Sequence, residues 1–191
     1  PVWPHWRRYA LLALLGVGCY NSFQYLALHT SSPINVTLVA SSGPVFMLAL
    51  GALFFGQRIQ ARQMVGAALS VLGVLFVLSR GDFTSLLQVQ WVVGDIYVLI
   101  ATLCWSVYSW LLSQDRDPPE LRRNWAFFLM AQVVFGLGWG GMFTAAEWAT
   151  TPAHIEWNTT LVLALIYVVI GPAVLAYRCW GLGVQQAGPN V

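Results

Sequence analysis

Residues 34–79 read INVTLVASSGPVFMLALGALFF, then GQRIQAR, then QMVGAALSVLGVLFVLS. Two runs free of any charged side chain flank a short turn holding Arg58 and Arg62. As a helix rising about 1.5 Å per residue, the first run alone exceeds the roughly 30 Å of a hydrocarbon core. Ile34–Phe55 and Gln63–Ser79 are therefore expected to cross a bilayer. The same pattern repeats outward at Tyr9–Leu28, Val92–Leu112, Trp125–Ala146 and Thr159–Val184. The expected fold is all-α, a polytopic membrane bundle of six transmembrane helices. With 58% hydrophobic and 8% charged residues in a chain of 191, a water-soluble domain is excluded.

The charges set an expected orientation. All nine basic residues are arginine. Arg7 and Arg8 precede the first span, Arg58 and Arg62 follow the second, and Arg116, Arg122 and Arg123 follow the fourth. Alternating spans put all of these on one side. The other side receives Arg80, Asp82, Glu147 and Glu156. Short arginine-rich loops stay cytoplasmic, so the first and last residues are expected inside, in a cytoplasmic (inner) membrane of bacterial type. Trp3, Trp6, Trp110 and Trp125 fall near the inner interface, and Trp91, Trp148 and Trp157 near the outer one, where an indole keeps its N–H wet.

Several chemistries are missing from the sequence. Cys19, Cys104 and Cys179 are single residues in separate spans, in no metal-ligating spacing, and read as small apolar packing residues. His5, His29 and His154 lie at loops or span ends. No phosphate-cradling glycine loop and no hydrolase or metalloprotease motif occurs. The basic residues form no nucleic-acid face. No metal, cofactor or nucleic acid is expected, and the partners are the bilayer and a small-molecule solute. Asn158-Thr159-Thr160 matches a glycosylation sequon beside the membrane. The chain begins without methionine and stops in mid-pattern, and reads as a fragment of something longer.

Helix starts are marked by Ser31-Ser32-Pro33, by Asp117-Pro118-Pro119-Glu120 and by Gly94-Asp95. Asp95 has two readings, a capping acid at the positive end of a helix or a proton-coupling acid. Gly66, Ser70 and Gly73, and likewise Gly136 and Gly140, permit close helix approach. Gly43-Pro44 and Gly171-Pro172 should each break a hydrogen-bond ladder inside a span, as functional kinks or as tolerated ones.

From Asn21 to Arg80 these features resemble the EamA-type transporters of the drug/metabolite transporter superfamily. The resemblance rests on Ala27 to Ser31, Pro44-Val45-Phe46, the turn Phe55-Gly56-Gln57-Arg58 and the small-rich run Val65 to Val74. Gly94 to Gln114 is similar to the opening helix of a second copy, and Leu175-Ala176-Tyr177 with Gln186-Ala187-Gly188 to its third. The resemblance implies ten helices in two inverted five-helix repeats. Residues 1–80 would supply the third to fifth helices and residues 94–191 the sixth to eighth. Gln57 stands where the family commonly has Glu, so a charge-dependent role there is not carried over.

It further implies a permease or exporter of small metabolites such as amino acids, not an enzyme, working by alternating access between the repeats. Proton coupling is one form this could take. A non-transporting structural subunit and a membrane-embedded enzyme are the alternatives. Solute sites in such proteins lie at mid-membrane, where ionisable and polar side chains are costly. The candidates are Arg178, as a cation for a carboxylate or phosphate or else as a snorkelling side chain, and Asn21 and Gln24, facing solute or neighbouring helices. The aromatic candidates are Tyr20, Tyr25, Trp105, Tyr108, Trp139, Tyr177 and Trp180, with Trp105 and Tyr108 three apart on one helical face.

Overall fold

A computed structural model of the chain describes residues 5–78, 92–114, 125–150 and 155–188. Arg80, Asp82, Trp91, the arginine cluster at 116–123, the Asp117 start signal, His154 and Trp3 lie outside the described residues. The described residues are helical, with no strand among them. Among the described residues six helices follow one another: α1 (Trp6–Ala27), α2 (Pro33–Phe54), α3 (Ala61–Leu78), α4 (Val93–Ser113), α5 (Trp125–Thr150) and α6 (Thr159–Ala187). Five are long and apolar enough to cross a membrane. Within α3 the described stretch Ala61–Phe76 is apolar as well.

Three helices depart from a plain α ladder. In α1, Leu14–Cys19 is π-helical. In α6, Val169–Ala176 is π-helical around Pro172. The helix α2 consists of Pro33–Ala40 and Gly43–Phe54, joined by a turn at Ser41-Ser42. Its start is built as capping chemistry requires: Ser32 Oγ accepts from the Asn35 amide at 3.2 Å with Pro33 at the first helical position. Its end is a left-handed glycine: Gly56 has φ 64°, and the Gln57 amide turns back to the Gly51 carbonyl at 2.9 Å. The glycine in the Phe55-Gly56-Gln57-Arg58 turn is thus a helix stop. At the start of α6, Asn158 Oδ1 accepts from the Leu161 amide at 2.8 Å, so the sequon asparagine is a cap.

The described residues form two compact units. In the unit made of Pro1–Gly18 and Leu112–Gly188, the first half of α1 packs on α5, and α6 also packs on α5. Tyr9 is buried and meets the Phe128 ring edge-on, centroids 5.8 Å apart. Gly136 lies so close to Val17 that a Cβ there would sit 2.7 Å from Val17 Cγ1. Gly140, its sequence partner in the expected small-residue pair, faces open space. In the unit Cys19–Leu111, the second half of α1, α2 and α4 pack around Ala27, Val36 and Val98, with Val39, Ala40 and Tyr97 against them, and α3 packs on α2. Trp110 anchors α4 on α2. Its Nε1–H donates to the Met47 carbonyl at 2.8 Å and its ring stacks on Phe55 at 4.9 Å. Gly51 makes room: a methyl there would lie 3.1 Å from Trp110 Cε2 and Cη2.

Candidate functional site

In α4 the buried face carries Thr102, Ser106 and Ser109. Each hydroxyl donates to the carbonyl one turn earlier, Val98, Thr102 and Trp105 respectively, all at 2.8 Å. This back-bonding lets small polar residues sit in an apolar interior without an orphaned proton. Beside this face α4 meets the second half of α1 through aromatic rings. Tyr20 lies 4.5 Å from Trp105, and Trp105 lies 5.1 Å from Tyr108, ring centroid to centroid. One turn along, Phe23 stacks on Tyr97 at 5.9 Å. The Gln24 side chain hydrogen-bonds Tyr20, and Asn21 is half-buried on the same helix. A concentration of π faces edged by amides and hydroxyls can hold a flat apolar solute and orient its polar end.

The remaining candidates are placed elsewhere. Tyr25 is 59% exposed. Trp139 Nε1–H donates to the Ala10 carbonyl at 3.0 Å, and the Tyr177 hydroxyl donates to the Gly16 carbonyl inside the π-helical stretch of α1. Both aromatics therefore fasten α5 and α6 to the first half of α1. Arg178 is exposed and Trp180 half-buried on α6. The pair Gly43-Pro44 opens the second piece of α2, and Gly171-Pro172 lies within the π-helical part of α6.

Asp95 is a buried acid at the start of α4, 4% exposed. Its Oδ1 accepts from Asn35 Nδ2 at 2.6 Å and Ser31 Oγ at 3.3 Å, and its Oδ2 from the Val92 amide at 3.2 Å. The neighbouring Gly94 amide donates to Thr30 Oγ1 at 2.8 Å, and a Cβ at Gly94 would come 2.5 Å from the Ala27 carbonyl oxygen. Asp95 thus caps α4 and braces it against the α1–α2 turn, with the glycine permitting the approach.

Two features escaped the sequence. Cys19 and Cys104 are brought together, their thiols hydrogen-bonded across α1 and α4. Gln132 of α5 is 1% exposed with its Oε1 unpartnered among the described residues. Neither has a local signal, since both depend on which face of a helix turns inward. Among the described residues no group of three or more His, Cys, Asp or Glu could hold a metal ion.

Apolar helices of this number and length, with amides and aromatics concentrated between two of them, define an integral membrane protein of the polytopic helical class. Within it, residues 1–79 match the EamA-like transporter family, so the EamA-type resemblance read from Asn21 to Arg80 holds. The chain is 27% identical over 187 residues to an uncharacterized transporter of Archaeoglobus fulgidus, covering 98% of this chain and 62% of that protein. It is 25% identical over 187 residues to the aromatic amino acid exporter YddG of Ancylobacter novellus, covering 97% and 59%. It is 21% identical over 186 residues to the uncharacterized transporter YyaM of Bacillus subtilis, covering 95% and 58%. The chain therefore spans roughly three fifths of the length of these relatives. No solved structure matches it.

Proposed function

We propose that this chain is part of a permease that carries small metabolites, amino acids with apolar or aromatic side chains foremost, across a cytoplasmic membrane. The observation that carries the proposal is the Tyr20–Trp105–Tyr108 cluster between α1 and α4, bordered by Gln24. The name of the Ancylobacter relative, an aromatic amino acid exporter, supports the same solute class.

In this reading residues 1–80 and 94–191 belong to two inverted repeats, and transport proceeds as one repeat rocks against the other around the solute. Arg58 and Arg62 face the cytosol with both termini. The turn at Ser41-Ser42 and the wide helical turn around Pro172 are the places where the backbone yields. Arg178 is the cation offered to a carboxylate.

The test is export of labelled phenylalanine and leucine from loaded cells that carry the full-length gene. Loss of the stacking surface in Trp105→Ala should cut export about tenfold, matching roughly 1.4 kcal/mol of lost contact. Tyr25→Ala, at an exposed ring, should leave it unchanged. Export of neither amino acid by the parent protein would refute the solute class, and equal export by Trp105→Ala and the parent would refute the site.

A further inference from the structure

We propose that Cys19 and Cys104 form an oxidisable dithiol, a modification site at which peroxide joins α1 covalently to α4. The pairing goes beyond the transport reading and does not depend on it. Cys19 closes the π-helical stretch of α1, Cys104 lies midway along α4, and both side chains are half-buried. The two thiols are hydrogen-bonded to each other. Their alignment is fixed by the rings next in sequence on each helix, Tyr20 against Trp105 at 4.5 Å. The helices run antiparallel at this level, as Phe23 against Tyr97 shows. Closing the pair means bringing two thiols already in hydrogen-bond contact to the roughly 2.05 Å of a disulfide.

Chemically the step is complete with hydrogen peroxide, a small neutral oxidant that enters bilayers. One cysteine sulfur attacks a peroxide oxygen, the O–O bond breaks, and a sulfenic acid and a water form. The second sulfur then displaces the hydroxyl as water and the S–S bond closes. Two thiols and one peroxide give one disulfide and two waters; the sulfurs are oxidised and the peroxide oxygens reduced. A bond formed between apolar helices is also remote from charged, water-borne glutathione, so it should outlast a surface disulfide.

The third cysteine, Cys179, is exposed on α6 and is removed for the test. Membranes of cells making full-length protein with Cys179 and any cysteine outside these 191 residues replaced by serine are treated with hydrogen peroxide, denatured, and labelled with a polyethylene-glycol maleimide. At this pair the expected result is loss of both adducts on a monomer-sized band, with both restored by dithiothreitol. Cys19→Ser and Cys104→Ser in the same background should each keep one adduct after peroxide. In the parent protein, mass spectrometry should find the Cys19 and Cys104 peptides joined and two hydrogens lighter. Retention of both adducts overturns the proposal. So does a loss that dithiothreitol does not reverse, or a link that doubles the molecular mass. None of these readouts involves transport, so a failed export assay leaves them intact.

Discussion

Two Gly-Pro pairs lie inside apolar helices of this protein, and the backbone meets them in opposite ways. In α2, Pro44 can give no amide to the Ala40 carbonyl, and the helix stops and restarts. The stop is lined with hydroxyls: Ser41 Oγ donates to the Leu38 carbonyl at 2.6 Å and Ser42 Oγ to the Val39 carbonyl at 2.7 Å. Pro44 then occupies the first turn of the new helix, where a missing amide costs nothing. Around Pro172 in α6 the neighbours are Val169, Ile170, Gly171 and Ala173, with no hydroxyl to serve a freed carbonyl. There the helix stays continuous by widening to i→i−5 bonds. The same dipeptide yields a break where serine hydroxyls bond the carbonyls of the preceding turn and a wide turn where the neighbours are apolar.

The contrast can be broken experimentally, and the largest effect should come from α6. Pro172→Ala gives back an amide and should raise stability by about 2 kcal/mol, since proline in a helix interior costs up to about 3. Unfolding in mixed detergent micelles would measure it; no gain would mean that proline does not cause the wide register. Next comes the double substitution Ser41→Ala with Ser42→Ala, which removes the hydroxyl donors from the Leu38 and Val39 carbonyls and leaves each only its backbone amide partner. It should destabilise by about 1–2 kcal/mol in the same assay. A neutral result would assign the break to proline alone. The smallest effect belongs to Pro44→Ala, expected within about 0.5 kcal/mol of the parent because that position is already a helix start. A gain matching that of Pro172→Ala would erase the distinction between the two sites.

The extent of the spans was legible because hydropathy and length report burial in lipid directly; Val92–Leu112 and the observed Val93–Ser113 differ by a residue at each end. Caps were equally legible at Ser32-Pro33, where the signal lies within four residues. Hydrogen-bond register was not. Nothing in Leu14-Leu15-Gly16-Val17-Gly18-Cys19 announces a π-helix, since the same residues suit an α ladder. Near Gly43-Pro44 the interruption proved to lie two residues earlier, at Ser41-Ser42, because the restraint of proline acts on what precedes it. Among candidate site residues, the spacing of Trp105 and Tyr108 placed both on one face. That Tyr20 would meet them depends on the rotation of α1, which no local pattern encodes.

The wide turn in α6 has a bearing on how this helix can change length. An i→i−5 stretch stores one residue more than an α-helix needs to bring its two flanks to the same azimuth. A single-codon deletion between Val169 and Ala176 would spend that surplus and leave Tyr177 and Val184 pointing as before. The same deletion between Thr159 and Val168 would swing everything downstream by about 100°. This helix therefore carries a built-in slack of one residue, at a fixed address.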